Sequence, residues 1–134
     1  MTRSEAPPGR VVDPPKRILI VDDERDNREL LGIILGYEGF LVTSAVSGEE
    51  ALAIVTQARP DLILLDGMMP GMDGYLVAAR IKGNPDTAHI PIIMVTGLAG
   101  RQAELRALGA GADEHLTKPI CRAELVARVK ERLR

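Results

Sequence analysis

The chain has 134 residues, 46% of them hydrophobic and 27% charged, and its 17 basic and 19 acidic residues leave a formal net charge of -2. That length suits one domain with its own core, and the balanced charge excludes a strongly basic nucleic-acid binder. The lone cysteine, Cys121, excludes an internal disulfide or a thiolate metal site, and no apolar run has signal-peptide character or reaches the ~20 residues of a membrane span, so a cytoplasmic protein is expected.

Residues 1–16, MTRSEAPPGRVVDPPK, hold four of the nine prolines and no apolar periodicity, and read as a disordered leader or linker ahead of a domain over 17–134. ILIV at 18–21 reads as a first strand, followed by Asp22, Asp23 and a helix through about Tyr37 with Leu30, Leu31, Ile34 and Leu35 inward. FLVTSAV at 40–46 predicts a second strand. Ser47 and Glu50 form a capping box for a helix that buries Ala51, Leu52 and Val55. DLILL at 61–65 predicts a third strand ending at Asp66, and Asp73 is the N-cap of a helix that turns Val77, Ala78 and Ile81 inward. IPIIMVT at 90–96 and DEHLT at 113–117 supply the last strands, with a helix over 101–108 between them and a final helix using Leu125, Val126 and Val129.

Apolar strands alternating with helices imply a parallel sheet covered on both faces, a doubly wound (βα)5 domain of the α/β class. In such sheets the ligand site lies beyond the carboxyl ends of the strands, near the point where strand order reverses. The residues standing there are Asp22, Asp23, Asp66, Thr96 and Lys118. Three converging carboxylates repel one another unless a cation or protons neutralise them, and oxygen donors without histidine or thiolate favour Mg²⁺. Lys118 and Thr96 suit a phosphoryl group, and aspartate is a competent nucleophile toward phosphorus. Taken singly, each residue has a plainer explanation: a double aspartate is a common helix start, and a lysine at a strand end is a solvated charge. Their joint position on one sheet edge favours a single site.

The motifs VDDE at 21–24, LLDGMMPGMDG at 64–74, VTG at 95–97 and LTKP at 116–119 together resemble the receiver domain of two-component response regulators. The resemblance spans about residues 16–134 and implies a flavodoxin-like three-layer sandwich with strand order 2-1-3-4-5. It makes Asp66 the phosphoacceptor and gives Mg²⁺ to Asp23, Asp66 and the backbone carbonyl of Met68, with Asp22 acting through water. Thr96 becomes the switch hydroxyl, Lys118 the phosphate-pairing lysine, and the Lys118-Pro119 peptide cis. A sensor histidine kinase or phosphotransfer protein is the implied donor. The implied interaction face is the fourth helix, fifth strand and fifth helix, which also serves dimers, with no nucleic-acid or membrane contact by this domain. The output is left open between a stand-alone regulator and the receiver of a hybrid kinase or longer regulator.

Some positions depart from the family pattern. His115 replaces the usual aromatic switch residue; the smaller imidazole implies weaker or pH-sensitive coupling, and its plainer reading is a partly exposed histidine that merely fills the slot. Gly67 replaces a larger apolar residue, implying a looser turn. Met68 and Leu98 are apolar at positions that tune phosphoryl lifetime, implying slow hydrolysis. Cys121 takes a capping position and reads as a buried, inert thiol. A rival from another class, an aspartate-nucleophile phosphatase of the haloacid dehalogenase type, requires a second acid two residues after the nucleophile, where Met68 stands. A flavodoxin-like cofactor carrier lacks the aromatic ring-holders and the phosphate loop.

Overall fold

The computed structural model describes residues 14–134, so most of the expected leader lies outside the described residues. Five strands and five helices alternate: β1 (Arg17–Val21), α1 (Arg25–Tyr37), β2 (Leu41–Ala45), α2 (Gly48–Ala58), β3 (Leu62–Asp66), α3 (Gly74–Lys82), β4 (Ile92–Thr96), α4 (Arg101–Gly109), β5 (Glu114–Thr117) and α5 (Arg122–Arg132). All strand pairs are parallel and the order is β2-β1-β3-β4-β5, as the resemblance implies. The order reverses between β1 and β3, which puts Asp22, Asp23 and Asp66 at the switch point.

The sheet divides two apolar layers. On one face Val55 of α2, Val77 and Ile81 of α3, and Ala107 of α4 pack on Leu19, Ile63, Leu65 and Met94. On the other, Leu31 and Leu35 of α1 and Leu125 and Val129 of α5 cover Ile20, Leu64, Val95 and Leu116. β3 and β4 are buried along their whole lengths, whereas the edge strand β2 is mostly exposed, since only one side of it has a neighbour.

Several local expectations shift. Leu30 is 57% exposed rather than inward, because the buried stripe of α1 runs through Leu31 and Leu35 and leaves Leu30 on its flank. Leu52 and Val126 are half-buried. β4 begins at Ile92 rather than Ile90: Pro91 has no N–H to donate, and Ile90 N–H turns back to Thr87 O. Cys121 is exposed, not buried, because it precedes α5 at the N-cap, where the chain turns at the surface. Ser47 accepts from Glu50 N–H as the capping box requires, while the Glu50 carboxylate accepts from Val46 N–H, one residue earlier than the usual partner.

At the edge opposite the switch point, Lys82 Nζ donates to Ala88 O at 3.2 Å, Ile90 O at 2.7 Å and Asp113 Oδ2 at 2.9 Å, using all three ammonium protons. Asp113 Oδ2 also accepts from Ile92 N–H at 2.8 Å, so one clasp joins α3, the loop before β4, and the start of β5. Replacing Lys82→Met leaves two carbonyls and a half-buried carboxylate short of a donor. The expected loss is on the order of 1–3 kcal/mol, read as a lower midpoint in urea with an unchanged slope; an unchanged midpoint would show that the clasp is not structural.

Candidate functional site

The carboxyl ends of β1, β3, β4 and β5 meet at one crevice of roughly 350 Å³, lined by Asp23, Glu24, Asp66, Met68, Gly97, Leu98 and Lys118. Asp66 is the last residue of β3, in register with Val95, so its backbone is fixed within the sheet rather than on a loop. One carboxylate oxygen from each of Asp22, Asp23 and Asp66 lies within 4.8 Å of the others. Asp22 and Asp66 are buried and Asp23 is exposed.

Each carboxylate is held differently. Asp22 Oδ1 accepts from Glu24 N–H at 2.8 Å and its Oδ2 lies 3.3 Å from Lys118 Nζ. Asp66 Oδ1 accepts from Met68 N–H at 3.1 Å and stands 3.6 Å from Lys118 Nζ. Asp66 Oδ2 makes no hydrogen bond to the protein among the described residues. The Asp22 carbonyl accepts from Arg28 Nη1 at 2.9 Å, an anchor from α1 that the sequence did not disclose. Burial above all, with the Asp22 and Asp23 charges adding to it, raises the Asp66 carboxyl from its ordinary 3.8 to about 6, against the opposing Met68 N–H and Lys118.

Thr96 ends β4, fully buried, and its Oγ1 accepts from Leu98 N–H at 3.2 Å, so the hydroxyl proton remains available to another acceptor. Lys118 follows β5, its N–H bonded to Thr96 O at 2.8 Å, and the Lys118-Pro119 peptide is cis, as expected. His115 lies one turn of the pleat before Thr117 on β5. Its neighbour Leu116 belongs to the α1–α5 layer, so the imidazole faces the α4 side, half-buried, with Nε2 buried and unpartnered among the described residues. Met68 and Leu98 are 54% and 40% exposed at the crevice mouth, whereas Met69 is buried in the core, consistent with loop packing rather than a ligand set. Asp73 caps α3 by accepting from Leu76 N–H, as predicted.

The acceptor loop is tight, not loose. A Cβ at Gly67 would meet Tyr75 Cε2, Cζ and Oη at 3.2 Å, and a Cβ at Gly74 would collide with the Asp66 carbonyl. Gly67 O accepts from Gly74 N–H at 3.1 Å, closing the loop on itself. The expected loosening at Gly67 is therefore overturned, because an aromatic ring from α3 fills the space that its side chain would occupy. Arg106 of α4 covers that ring, with Cζ 3.9 Å from its centroid. Neither Tyr75 nor Arg106 was identified from sequence.

A buried strand-end aspartate, two further acids and a lysine at the crevice of a 2-1-3-4-5 sheet are the arrangement of a receiver-type switch domain. The model of the response regulator receiver domain matches residues 18–130, and the chain belongs to that family. It is 46% identical over 114 residues to the response regulator PleD of Caulobacter vibrioides, covering 85% of this chain and 25% of PleD. It is 43% identical over 119 residues to the phosphate regulon transcriptional regulatory protein PhoB of Pseudomonas aeruginosa, covering 89% of this chain and 52% of PhoB. The chain thus spans between a quarter and about half of these relatives. Among solved structures, the receiver domain of a signal transduction histidine kinase from Syntrophus aciditrophicus shares 39% identity with a TM-score of 0.82, over 88% of this chain and 89% of that one. The response regulator TrrA of Thermotoga maritima, in complex with Mg²⁺-BeF, shares 38% identity with a TM-score of 0.80, over 88% of this chain and 99% of that one. No helix among the described residues is long and apolar enough to cross a membrane.

The raised Asp66 value carries a sign. The folded chain holds this proton more tightly than the unfolded chain, so stability falls as pH rises from about 4 to about 6 and stays reduced above that. In a chelator at pH 7, Asp66→Asn should therefore be more stable than the unsubstituted chain by on the order of 1–3 kcal/mol, seen as a higher melting temperature, with the gap closing near pH 4. Equal melting at both pH values would contradict it.

Proposed function

We propose that residues 17–134 act as a phosphorylatable switch, with residues 1–16 as a leader, in which Asp66 accepts a phosphoryl group from a phosphohistidine of a sensor kinase or phosphotransfer protein. The observation that carries this reading is the differential hold on Asp66, which lines the crevice: Oδ1 is fixed by Met68 N–H and Lys118, while Oδ2 has no hydrogen-bond partner among the described residues.

The donor set suits a small hard cation, since carboxylate oxygens from Asp22, Asp23 and Asp66 cluster without nitrogen or sulfur. Asp23, Asp66 and the Met68 carbonyl would hold Mg²⁺ directly; Asp22, both of whose oxygens already have partners, takes the outer role. Bound there, the ion supplies charge neutralisation for the transferring phosphoryl oxygens. The chain's residues do the rest. Asp66 Oδ2 attacks phosphorus as the phosphorus–nitrogen bond of the donor breaks, and the departing imidazole keeps the bonding pair. Lys118 Nζ, within reach of both buried carboxylates, turns to the new phosphoryl oxygens. The acyl phosphate carries about two negative charges where the carboxylate carried one, and this charge draws the free proton of the Thr96 hydroxyl and biases the surface formed by α4, β5 and α5. His115 on β5 serves as the second switch position.

Two surfaces support the partner assignments. A groove of about 200 Å³ lined by Asn27, Leu30, Leu31, Ile34, Lys118, Pro119 and Ile120 offers an apolar seat beside the crevice, and the exposure of Leu30 suits a donor that must approach Asp66. Exposed Leu105 and Leu108 on α4 suit an output partner or a second copy. The reading makes the chain a cytoplasmic signalling switch that assists its own phosphorylation and dephosphorylation rather than a turnover enzyme; apolar Met68 and Leu98 at the crevice mouth favour a long-lived phosphoryl group. The haloacid dehalogenase alternative finds no support, since the second acid it needs is absent at Met68.

Incubation with acetyl phosphate and Mg²⁺ should give an acid-stable, hydroxylamine-labile adduct that is lost in Asp66→Asn and slowed at least tenfold in Lys118→Met. Labelling of Asp66→Asn at the unsubstituted rate would move the acceptor elsewhere. With a phosphohistidine protein as donor, Leu30→Glu should slow transfer at least fivefold while leaving acetyl phosphate labelling within twofold; equal loss from both donors would assign Leu30 to the fold instead of the seat.

A further inference from the structure

We propose that Tyr75 is a positioning residue for Asp66, clamped onto the acceptor loop by Arg106 and so joining that loop to α4; this rests on Asp66 being the phosphoacceptor. Gly67 directly follows Asp66, and its missing side chain is replaced in space by the Tyr75 ring edge, 3.2 Å from where a Cβ would stand. Met68, the next residue, donates the N–H that orients Asp66 Oδ1, so whatever fixes Gly67 also fixes the direction of the carboxylate. Tyr75 is 6% exposed, and its hydroxyl is buried without a hydrogen-bond partner among the described residues. Phenylalanine would fill the same core volume without stranding a hydroxyl, so packing stability does not account for tyrosine here.

Arg106 explains how the ring is held. Its guanidinium lies 3.9 Å from the ring centroid, and Nη2 is 4.0 Å from Oδ2 of Asp73, the N-cap of α3. One cation from α4 thus grips both the ring that covers Gly67 and the cap of the helix that carries the ring. The Arg106 side chain is 56% exposed, which makes the clamp a surface contact that can be released without opening the core. A phosphoryl group on Asp66 pulls on Gly67 and Met68, and the displacement reaches α4 through Tyr75 and Arg106.

The chain has two tyrosines and no tryptophan, so Tyr37→Phe leaves Tyr75 as the sole emitter. In that background, acetyl phosphate with Mg²⁺ should change Tyr75 emission in step with labelling, and Asp66→Asn should abolish both. Gly67→Ala and Arg106→Gln should each slow labelling at least threefold, while Arg106→Lys, which keeps a cation over the ring, stays within twofold. Circular dichroism and melting curves confirm folding, and if Gly67→Ala melts below the assay temperature, the two Arg106 variants decide alone. Failure of the unsubstituted chain to label overturns the phosphoacceptor reading and this inference with it. Normal labelling of that chain combined with constant emission, with less than threefold slowing in a folded variant, or with a lysine variant as slow as the glutamine one, overturns this inference alone.

Discussion

Three carboxylates within 4.8 Å of one another, two of them buried, repel each other strongly in an apolar protein edge, and the architecture around them answers that repulsion. Lys118 stands between Asp22 and Asp66, at 3.3 and 3.6 Å, so one cation is shared by two carboxylates. That compensation is partial, and the Asp66 carboxyl remains raised to about 6. A site left this short of positive charge is matched to ligands that bring it, and the crevice is open where such a ligand would enter.

This arrangement is mounted on the buried centre of the sheet. β3 is buried from Leu62 to Asp66 and paired on both sides, so Asp66 stands on backbone held within the sheet. The loop beyond it is constrained as well, since a Cβ at Gly74 would collide with the Asp66 carbonyl, one at Gly67 would press on the Tyr75 ring at 3.2 Å, and the two glycines are joined by a backbone hydrogen bond. The stabilising clasp of Lys82 and Asp113 lies at the opposite edge of the same sheet. Stability and charge crowding are thereby separated by the length of the strands, which lets the site stay electrostatically costly without loosening the fold.

Most of the fold was legible because its signals are local. Apolar runs such as LILL and IPIIMV announce central strands, Ser47 and Asp73 announce helix starts through their own caps, and the strand-end rule then gathers Asp22, Asp23, Asp66, Thr96 and Lys118 on one edge. What remained hidden depends on contacts between residues distant in sequence. Leu30 was misplaced because a helix with apolar residues at 30, 31, 33, 34 and 35 has too wide an apolar arc for periodicity to choose its buried centre. Cys121 was misplaced because burial was inferred from residue type, whereas the turn before α5 sets exposure. Gly67 was opaque for the deepest reason: its explanation is Tyr75, eight residues on, and the ring is held by Arg106, a further helix away.

Gly67 also shows how a departure from a family pattern is to be weighed. A missing side chain next to an acceptor suggests slack if the position is considered alone, and it suggests the opposite once the neighbouring ring is placed. The space beside Gly67 is filled by the Tyr75 ring, so the packing there comes from α3 rather than from the loop itself. The consequence is mechanical: a side chain on Gly67 would move with Asp66, whereas a ring on α3 gripped from α4 resists it. The same volume therefore performs a different task, tying the Asp66 loop to α4 instead of merely filling the space beneath it.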